Sequence, residues 1–383
     1  MPILDRPLED RFVDHLGLID VDYVELWVSN AFQAAHFYQT IFGYQLAGYR
    51  GLETGTRDRV SYLLTQGNIR LVVTGALTAD SVIAEAVRIH GDHVHDVAMT
   101  VSDVDRAFSE SVRRGAEPVL EPSDVSDESG TIRLAGIRTY GSVVHTLVQR
   151  TFASGDGQPA SYDGLFMPGF EPGIGGLDVE PVGIQYVDHC VGNVAEGDMD
   201  TWVAFYRDVL GFTEYIHFDE EDISTEYSAL MSKVMAGGRG RIKFPINEPA
   251  EGKRKSQIEE YLDYNGGPGV QHVALLTDDI VRTVTMLRGR GLRFLRVPTT
   301  YYDALETRVG AIEENLDDLK RLGILVDRDE EGYLLQIFTK PVAGRPTMFF
   351  EIIQRKGARG FGKGNFKALF EAIEREQALR GNL

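Results

Sequence analysis

Two histidines and one glutamate, His189, His272 and Glu351, are the residues of this chain whose types point to metal chemistry. Each falls in a stretch that reads as a strand: Val187-Asp-His-Cys-Val, Gln271-His-Val-Ala and Phe349-Phe-Glu-Ile-Ile. Two imidazoles and one carboxylate can hold Fe(II) from one side and leave open positions on the other. An organic substrate and O2 need such positions if both are to meet at one metal.

A repeat singles these residues out. Near residue 22 the chain reads Val-Asp-Tyr-Val, followed by a helical stretch with Phe37-Tyr38 and then Gly43-Tyr44. Near residue 188 it reads Val-Asp-His-Cys, followed by Phe205-Tyr206 and Gly211-Phe212. His95-Asp96-Val97-Ala98 answers Gln271-His272-Val273-Ala274, and Gln149-Arg150 answers Gln354-Arg355. Laid on one another, the halves put Tyr23, Asp96 and Thr146 where the second half has His189, His272 and Glu351. The second half is armed for metal and the first is bare.

A rival set is His90, His93 and His95. His-x-His on a strand puts both rings on one face, but neither Asp92 nor Asp96 completes it convincingly, so these read as structural histidines. His15, His36, His145 and His217 show no partner pattern. Cys190 follows His189 and points to the opposite face of its strand, which makes it a packed thiol and not a ligand.

The elements that must carry these residues follow from periodicity. Residues 19–29 alternate as a strand. Asn30 caps a helix that stops at Gly43. Apolar runs at 60–65, 69–74 and 94–101 and a helix at 103–114 follow. Gly and Pro dominate 153–180, which reads as a linker. The order then recurs: a strand at 183–192, a helix at about 199–210, a hairpin at 226–247, a strand around His272 and a helix at about 278–290. An insertion at 297–332 has no counterpart in the first half. Strands at 333–338 and 346–354 come next. Phe366, Leu369, Phe370 and Ile373 then mark an amphipathic helix over 365–380.

Composition narrows the class. The 383 residues suggest two or three domains, and the repeat favours two. A net charge of -19 argues against nucleic acid and against an anionic membrane surface. A single cysteine permits no intramolecular disulfide and fits a reducing cytoplasm. The first seven residues carry no secretory leader pattern, and no run approaches the roughly 20 apolar residues of a membrane span.

The second half closely resembles the 4-hydroxyphenylpyruvate dioxygenases of the vicinal oxygen chelate superfamily. The resemblance rests on Val187-Asp-His-Cys-Val-Gly-Asn193, Lys243-Phe-Pro-Ile-Asn-Glu-Pro249, Lys253-Arg-Lys-Ser-Gln257, Gln271-His272, Leu325-Val-Asp-Arg-Asp329, Leu334-Leu-Gln-Ile-Phe-Thr-Lys-Pro341, Phe349-Phe-Glu-Ile-Ile-Gln-Arg355 and Gly360-Phe-Gly-Lys-Gly-Asn-Phe366. The first half is similar more loosely, through Ala34-Ala-His-Phe-Tyr38 and Thr139-Tyr-Gly141.

The resemblance implies an α+β fold of two tandem domains, each of paired βαβββ modules forming an open barrel, plus a C-terminal helix. A metal-free domain at 1–152, a linker at 153–180 and a catalytic domain at 181–383 are expected, with a lid helix at about 362–380 hinged by the preceding glycines. One Fe(II) per chain would sit on His189, His272 and Glu351. Ser232, Asn247, Gln257, Gln271, Gln336 and Asn365 would contact substrate, and Phe338, Phe349, Phe361 and Phe366 would wall it. Gln271 neighbours His272, so strict alternation turns it away unless a bulge intervenes.

The implied reaction takes 4-hydroxyphenylpyruvate and O2 to homogentisate and CO2 by oxidative decarboxylation, ring hydroxylation and side-chain migration, a step of tyrosine catabolism. The oxo acid is part of the substrate, so no separate 2-oxoglutarate is needed. A cytoplasmic homo-oligomer, dimer or tetramer, without nucleic-acid or membrane partners is expected. The alternatives are a 4-hydroxymandelate synthase, which shares substrate and metal, and a non-catalytic small-molecule binder of the same fold. An extradiol catechol dioxygenase would carry His or Tyr acid-base residues near the metal, and no such motif is present.

Overall fold

The structure, a computed structural model, describes residues 14–153, 159–218, 229–250 and 255–382. The first seven residues, Lys253 and Arg254, the start of the expected hairpin (226–228) and part of the expected linker (154–158) lie outside the described residues.

In the first half, β1 (Leu18–Trp27) leads through α1 (Ala31–Phe42) to β2 (Gln45–Arg50), β3 (Arg59–Gln66) and β4 (Ile69–Ala76). Then follow α2 (Val82–His90), β5 (His93–Val101), α3 (Val104–Arg113), β6 (Pro118–Asp127), β7 (Gly130–Arg138) and β8 (Val144–Gln149). Three short strands come next: β9 (Thr151–Ala153), β10 (Pro159–Ser161) and β11 (Glu171–Pro172).

The second half runs β12 (Ile184–Asn193), α4 (Met199–Ala204), β13 (Thr213–Phe218), β14 (Ala229–Gly237), β15 (Ile242–Ala250), α5 (Gln257–Asn265), β16 (Gly269–Thr277) and α6 (Ile280–Gly289). It ends with α7 (Leu305–Val309), α8 (Leu316–Leu322), β17 (Leu325–Arg328), β18 (Tyr333–Phe338), β19 (Phe349–Lys356) and α9 (Phe366–Arg380).

One sheet is ordered β11-β2-β3-β4-β1-β5-β8-β7-β6 and the other β13-β14-β15-β12-β16-β19-β18-β17. Leaving β11 aside, the order is identical, and each sheet curls into a half-barrel. The repeat reaches down to single residues. The β1–β5 pairing slips at Leu18/Asp20, Val21/Tyr23 and Glu25/Leu26, and the β12–β16 pairing slips at the equivalent Ile184/Tyr186, Val187/His189 and Val191/Gly192. A bulge presents neighbouring residues to one side where regular alternation would separate them.

Local chemistry sets the helix ends. The Asn30 side chain accepts from the Gln33 amide, and Gly43 closes α1 in the left-handed region at φ 70°. A Cβ on Gly43 would sit 2.4 Å from the Glu180 carbonyl, so this turn also lets the two halves approach. α2 and α5 were not anticipated as helices. Ser81 caps the first, and a reciprocal Ser256–Glu259 capping box starts the second. The helix begun by α4 widens into a π turn over Phe205–Val209.

The helical faces of both sheets share one core. Tyr38 and Phe42 of α1 set their rings 5.9 and 5.2 Å from Phe350 of β19. In the opposite direction, the Tyr206 hydroxyl meets His145 Nε2 of β8 at 2.8 Å. Burial holds His145 down at about 4, and its Nδ1 lies 2.8 Å from the Val97 carbonyl. Cys190 is buried in this core, where burial pushes its thiol up to about 12.

Two readings of the chain change. The expected insertion is shorter, because β17 pairs with β18 as β6 pairs with β7, so a strand at its end does have a counterpart. The glycine-rich stretch is no free tether over 159–180. Phe166 packs edge-on to Tyr23 at 5.4 Å, Phe170 packs on Phe166 at 5.1 Å, and Arg50 lies over Phe170 at 5.0 Å. This strap fills the concave face of the first sheet. Among the described residues no helix is long and apolar enough to cross a membrane.

Candidate metal centre

β12, β16 and β19 are neighbours at the centre of the second sheet, and each sends one candidate ligand, His189, His272 or Glu351, to a common cavity. His189 Nε2 lies 3.2 Å from Glu351 Oε2, and His272 Nε2 lies 3.4 Å from the same oxygen. All three side chains are buried. Among the described residues, they are the one group of three whose donor atoms converge within 4.8 Å. Ligands about 2.1 Å from a metal at right angles stand roughly 3 Å apart, so each imidazole already lies near that spacing from the carboxylate.

Each imidazole is also turned the right way. His189 Nδ1 meets Asp188 Oδ1 at 2.8 Å, and His272 Nδ1 meets Gln271 Oε1 at 3.0 Å. With both Nδ1 atoms donating, both Nε2 lone pairs are left for the metal, the outer hydrogen bonding typical of ligating histidines. A bulge does intervene at Gln271: Val191 pairs with His272 and Gly192 with Val270, so Gln271 is skipped and reaches the cavity.

The electrostatics fit a cation site. Burial disfavours the charged form of all three groups, and their mutual attraction competes with it. His189 is raised because Glu351 and Asp188 outweigh burial, and Glu351 is lowered because the two imidazoles outweigh it. His272 stays depressed by burial. Burial would also raise Asp188, but the Arg355 and Lys243 cations hold it well below the usual carboxylate range. The residues present therefore fit a divalent metal with one counter-charge in the set.

Above the triad lies a cavity of roughly 580 Å³, counting its open mouth. Ser232, Asn247, Gln257, Gln271 and Gln336 supply its neutral polar groups, and Phe338, Phe349, Phe361 and Phe366 its aromatic ones. Phe349 stacks on the His272 ring at 4.7 Å, and Phe361 meets the His189 ring edge-on at 5.0 Å. Among the described residues, Gln336 Oε1 is buried without a hydrogen-bond partner. Asn365 does not line the cavity. Its Oδ1 accepts from the Tyr301 hydroxyl at 2.6 Å, which pins the start of α9. Leu369, Phe370 and Ile373 of α9 and Val191, Leu230, Val234 and Pro245 of the sheet also line it and were not anticipated. Their signal was present in the amphipathic face of α9 and the alternation of β14.

At the equivalent place in the first half the three residues Tyr23, Asp96 and Thr146 include no imidazole. Tyr23 donates to Asp96 Oδ2 at 2.9 Å and Thr146 Oγ1 donates to the same oxygen at 2.6 Å, so hydrogen bonds among the three take the metal's place. His90, His93 and His95 do not converge on a common point; His95 instead stacks on Trp27.

Burial lifts Asp96 from 3.8 to about 7. An acid raised in this way stays protonated in the fold after it has ionised in the unfolded chain. Its contribution to stability is therefore full below pH 3.8, falls as pH climbs to about 7, and is level above that. Asp96→Asn removes the titration. Its stability relative to the native chain should rise between pH 5 and pH 8 by on the order of a few kcal/mol in denaturant unfolding. A pH-independent difference would contradict the burial argument.

Comparison with known proteins agrees with this geometry. Residues 20–139 and 186–337 match the Glyoxalase/Bleomycin resistance protein/Dioxygenase superfamily. The chain is 46% identical over 389 residues to the 4-hydroxyphenylpyruvate dioxygenase of Neurospora crassa, covering 94% of this chain and 92% of that one. It is 46% identical over 372 residues to that of Dictyostelium discoideum, covering 94% and 99%. A mutant of 4-hydroxymandelate synthase from Streptomyces coelicolor is similar in structure, with a TM-score of 0.83, 34% identity, and coverage of 94% of this chain and 100% of that one. With its two matched segments, its full-length relatives and its single armed half, the chain belongs to the 4-hydroxyphenylpyruvate dioxygenase family.

Proposed function

We propose that His189, His272 and Glu351 hold Fe(II) and that the cavity above them binds 4-hydroxyphenylpyruvate beside O2, giving homogentisate and CO2. The observation that carries this reading is the convergence of three buried donors on the floor of an apolar, aromatic-walled cavity. When bound, Fe(II) supplies the redox chemistry by which O2 oxidises the oxo acid.

The chain's own residues would do the rest. Glu351 offsets part of the metal's charge, and Asp188 and Gln271 hold the two imidazoles in their ligating tautomer. Ser232, Asn247, Gln257, Gln271 and Gln336 offer hydrogen bonds to an oxo acid and a phenol without adding charge. The unpartnered Gln336 Oε1 is a buried acceptor, which costs about 1–3 kcal/mol until a donor such as a phenol arrives. Phe338 and Phe349 flank the ring. Phe361 and Phe366, at the entry to α9, exclude water.

We also propose the division into 1–152 as scaffold, 153–180 as connection and 181–383 as catalytic unit, in a cytoplasmic homo-oligomer. The single buried cysteine supports a reducing compartment.

The test is O2 uptake by the Fe(II)-reconstituted chain with 4-hydroxyphenylpyruvate, set against His189→Ala. Uptake matched by CO2 and homogentisate is expected from the native chain alone. No uptake by the native chain would refute the reading. The similarity to a 4-hydroxymandelate synthase keeps benzylic hydroxylation as the second reading, and 4-hydroxymandelate as the product would select it.

A further inference from the structure

The chain contains one clamp twice. In the second half Arg355 grips Asp188 with two parallel bonds, Nε to Oδ2 and Nη2 to Oδ1, both 2.8 Å. Its Nη1 donates to the carbonyls of Gly360 at 2.7 Å and Ala358 at 3.3 Å, and its guanidinium lies over the Phe361 ring at 5.4 Å. Phe361 in turn meets the His189 ring, and His189 bonds Asp188. Asp188, Arg355, Phe361 and His189 thus close a loop.

In the first half Arg150 grips Asp22 in the same way, Nε to Oδ2 at 2.8 Å and Nη2 to Oδ1 at 2.6 Å. Its Nη1 donates to the Phe166 carbonyl, its guanidinium lies over the Phe166 ring at 5.2 Å, and Phe166 meets Tyr23. Tyr23 stands where His189 does. Both aspartates are skipped in the strand register, so the same bulge presents each.

The two copies secure different things. Arg150 fixes a strap whose Phe166 and Phe170 fill the first half-barrel. Arg355 fixes the residues just before Gly362, where the lid segment begins. Gly362 sits at φ 79°, and a Cβ there would be 2.3 Å from Gln336 Oε1, so the segment turns against the cavity wall at a point only glycine fits.

We propose that Arg355 is a positioning residue for the reaction, coupling the metal ligand His189 to the hinge of the C-terminal lid. It orients His189 through Asp188, and it sets the hinge through the Gly360 carbonyl and the Phe361 ring. Ordering of the ligand by metal and ordering of the hinge are then one event. The inference rests on the reading that His189, His272 and Glu351 bind metal.

The first half supplies the internal control, because Arg150 makes the same clamp with no metal and no hinge. The experiment titrates the full chain with Co(II) alone, anaerobically, and follows amide exchange over 357–366 with and without Co(II). In the native chain Co(II) should slow that exchange. Arg355→Met should lower Co(II) affinity about 10- to 100-fold, and its hinge exchange should be fast and indifferent to Co(II). Arg355→Lys, which keeps the charge but loses the fork, should fold and show the same indifference, which covers a failure of the methionine variant to fold. Arg150→Met should lose thermal stability but keep native Co(II) affinity and hinge response. Unchanged Co(II) affinity and hinge response in the folded Arg355 variants would overturn the coupling, and so would an equal loss in Arg150→Met. A native chain that takes up no Co(II) would refute the metal reading and this inference with it. A native chain that binds Co(II) while the variants behave identically would refute the coupling alone.

Discussion

Glu351→Ala is expected to abolish turnover while leaving the protein folded. Glu351 is the one carboxylate among the three donors, and both imidazoles lean on its Oε2. Without it a divalent metal keeps two neutral ligands and no counter-charge. Turnover should fall by about three orders of magnitude or more, equivalent to about 4 kcal/mol in the barrier. The fold should survive, because without the carboxylate both imidazoles can stay buried as neutral rings, each still hydrogen-bonded through Nδ1 to Asp188 or Gln271. Thermal unfolding distinguishes loss of metal from loss of fold. Fe(II) at about a hundred times its dissociation constant adds roughly 2.7 kcal/mol to a chain that binds it, and the variant should show none of that gain. A variant that still gains stability from Fe(II) would remove Glu351 from the ligand set.

The second large effect is expected from deleting residues 360–383. Phe361, Phe366, Leu369, Phe370 and Ile373 would leave the cavity together. Their packing partners Leu295, Phe338 and Phe349 on one side and Leu230, Val234 and Ile258 on the other would face water. The far end of α9 is tied down as well, by Arg380 and Asn382 on the buried Glu260 and by Lys340 on Glu376, so the helix closes the site from both of its ends. Turnover should be lost and binding of an apolar dye should rise. Metal binding should persist in weakened form, since every ligand sits on a strand that the deletion spares. Unchanged kinetics in the truncated chain would show that α9 only packs.

Much of this architecture is legible in the amino-acid sequence. The duplicated Val-Asp and Gln-Arg signatures aligned the halves, and the alignment exposed the triad. Asn30 and Gly43 bounded α1 because capping chemistry is local. What escaped was chemistry that spans the chain. Asp188 and Arg355 lie 167 residues apart, and nothing local in either announces the other, although their repetition as Asp22 and Arg150 was a usable clue. The bulge that brings Gln271 into the cavity depends on strand register, which alternation alone does not report. The glycines and prolines of 159–180 mark it as a connection, and no periodicity there reports that Phe166 and Phe170 pack. Those aromatics belonged to a packed segment. α2 and α5 are single short helices beside apolar strands, and Ser81 and the Ser256–Glu259 pair were the signals that should have marked them.

The shared core binds the two halves into one interior. α1 of the first half finishes its packing on Phe350 of the second sheet, and Tyr206 of the second half finishes its packing on His145 of the first. Two halves whose interiors meet in one core in this way are not separable by deletion, since either one alone would expose part of its interior. Tyr23, Asp96 and Thr146 stand at the matched positions of a half that holds no ligand triad, yet its α1 still completes the interior beneath β19.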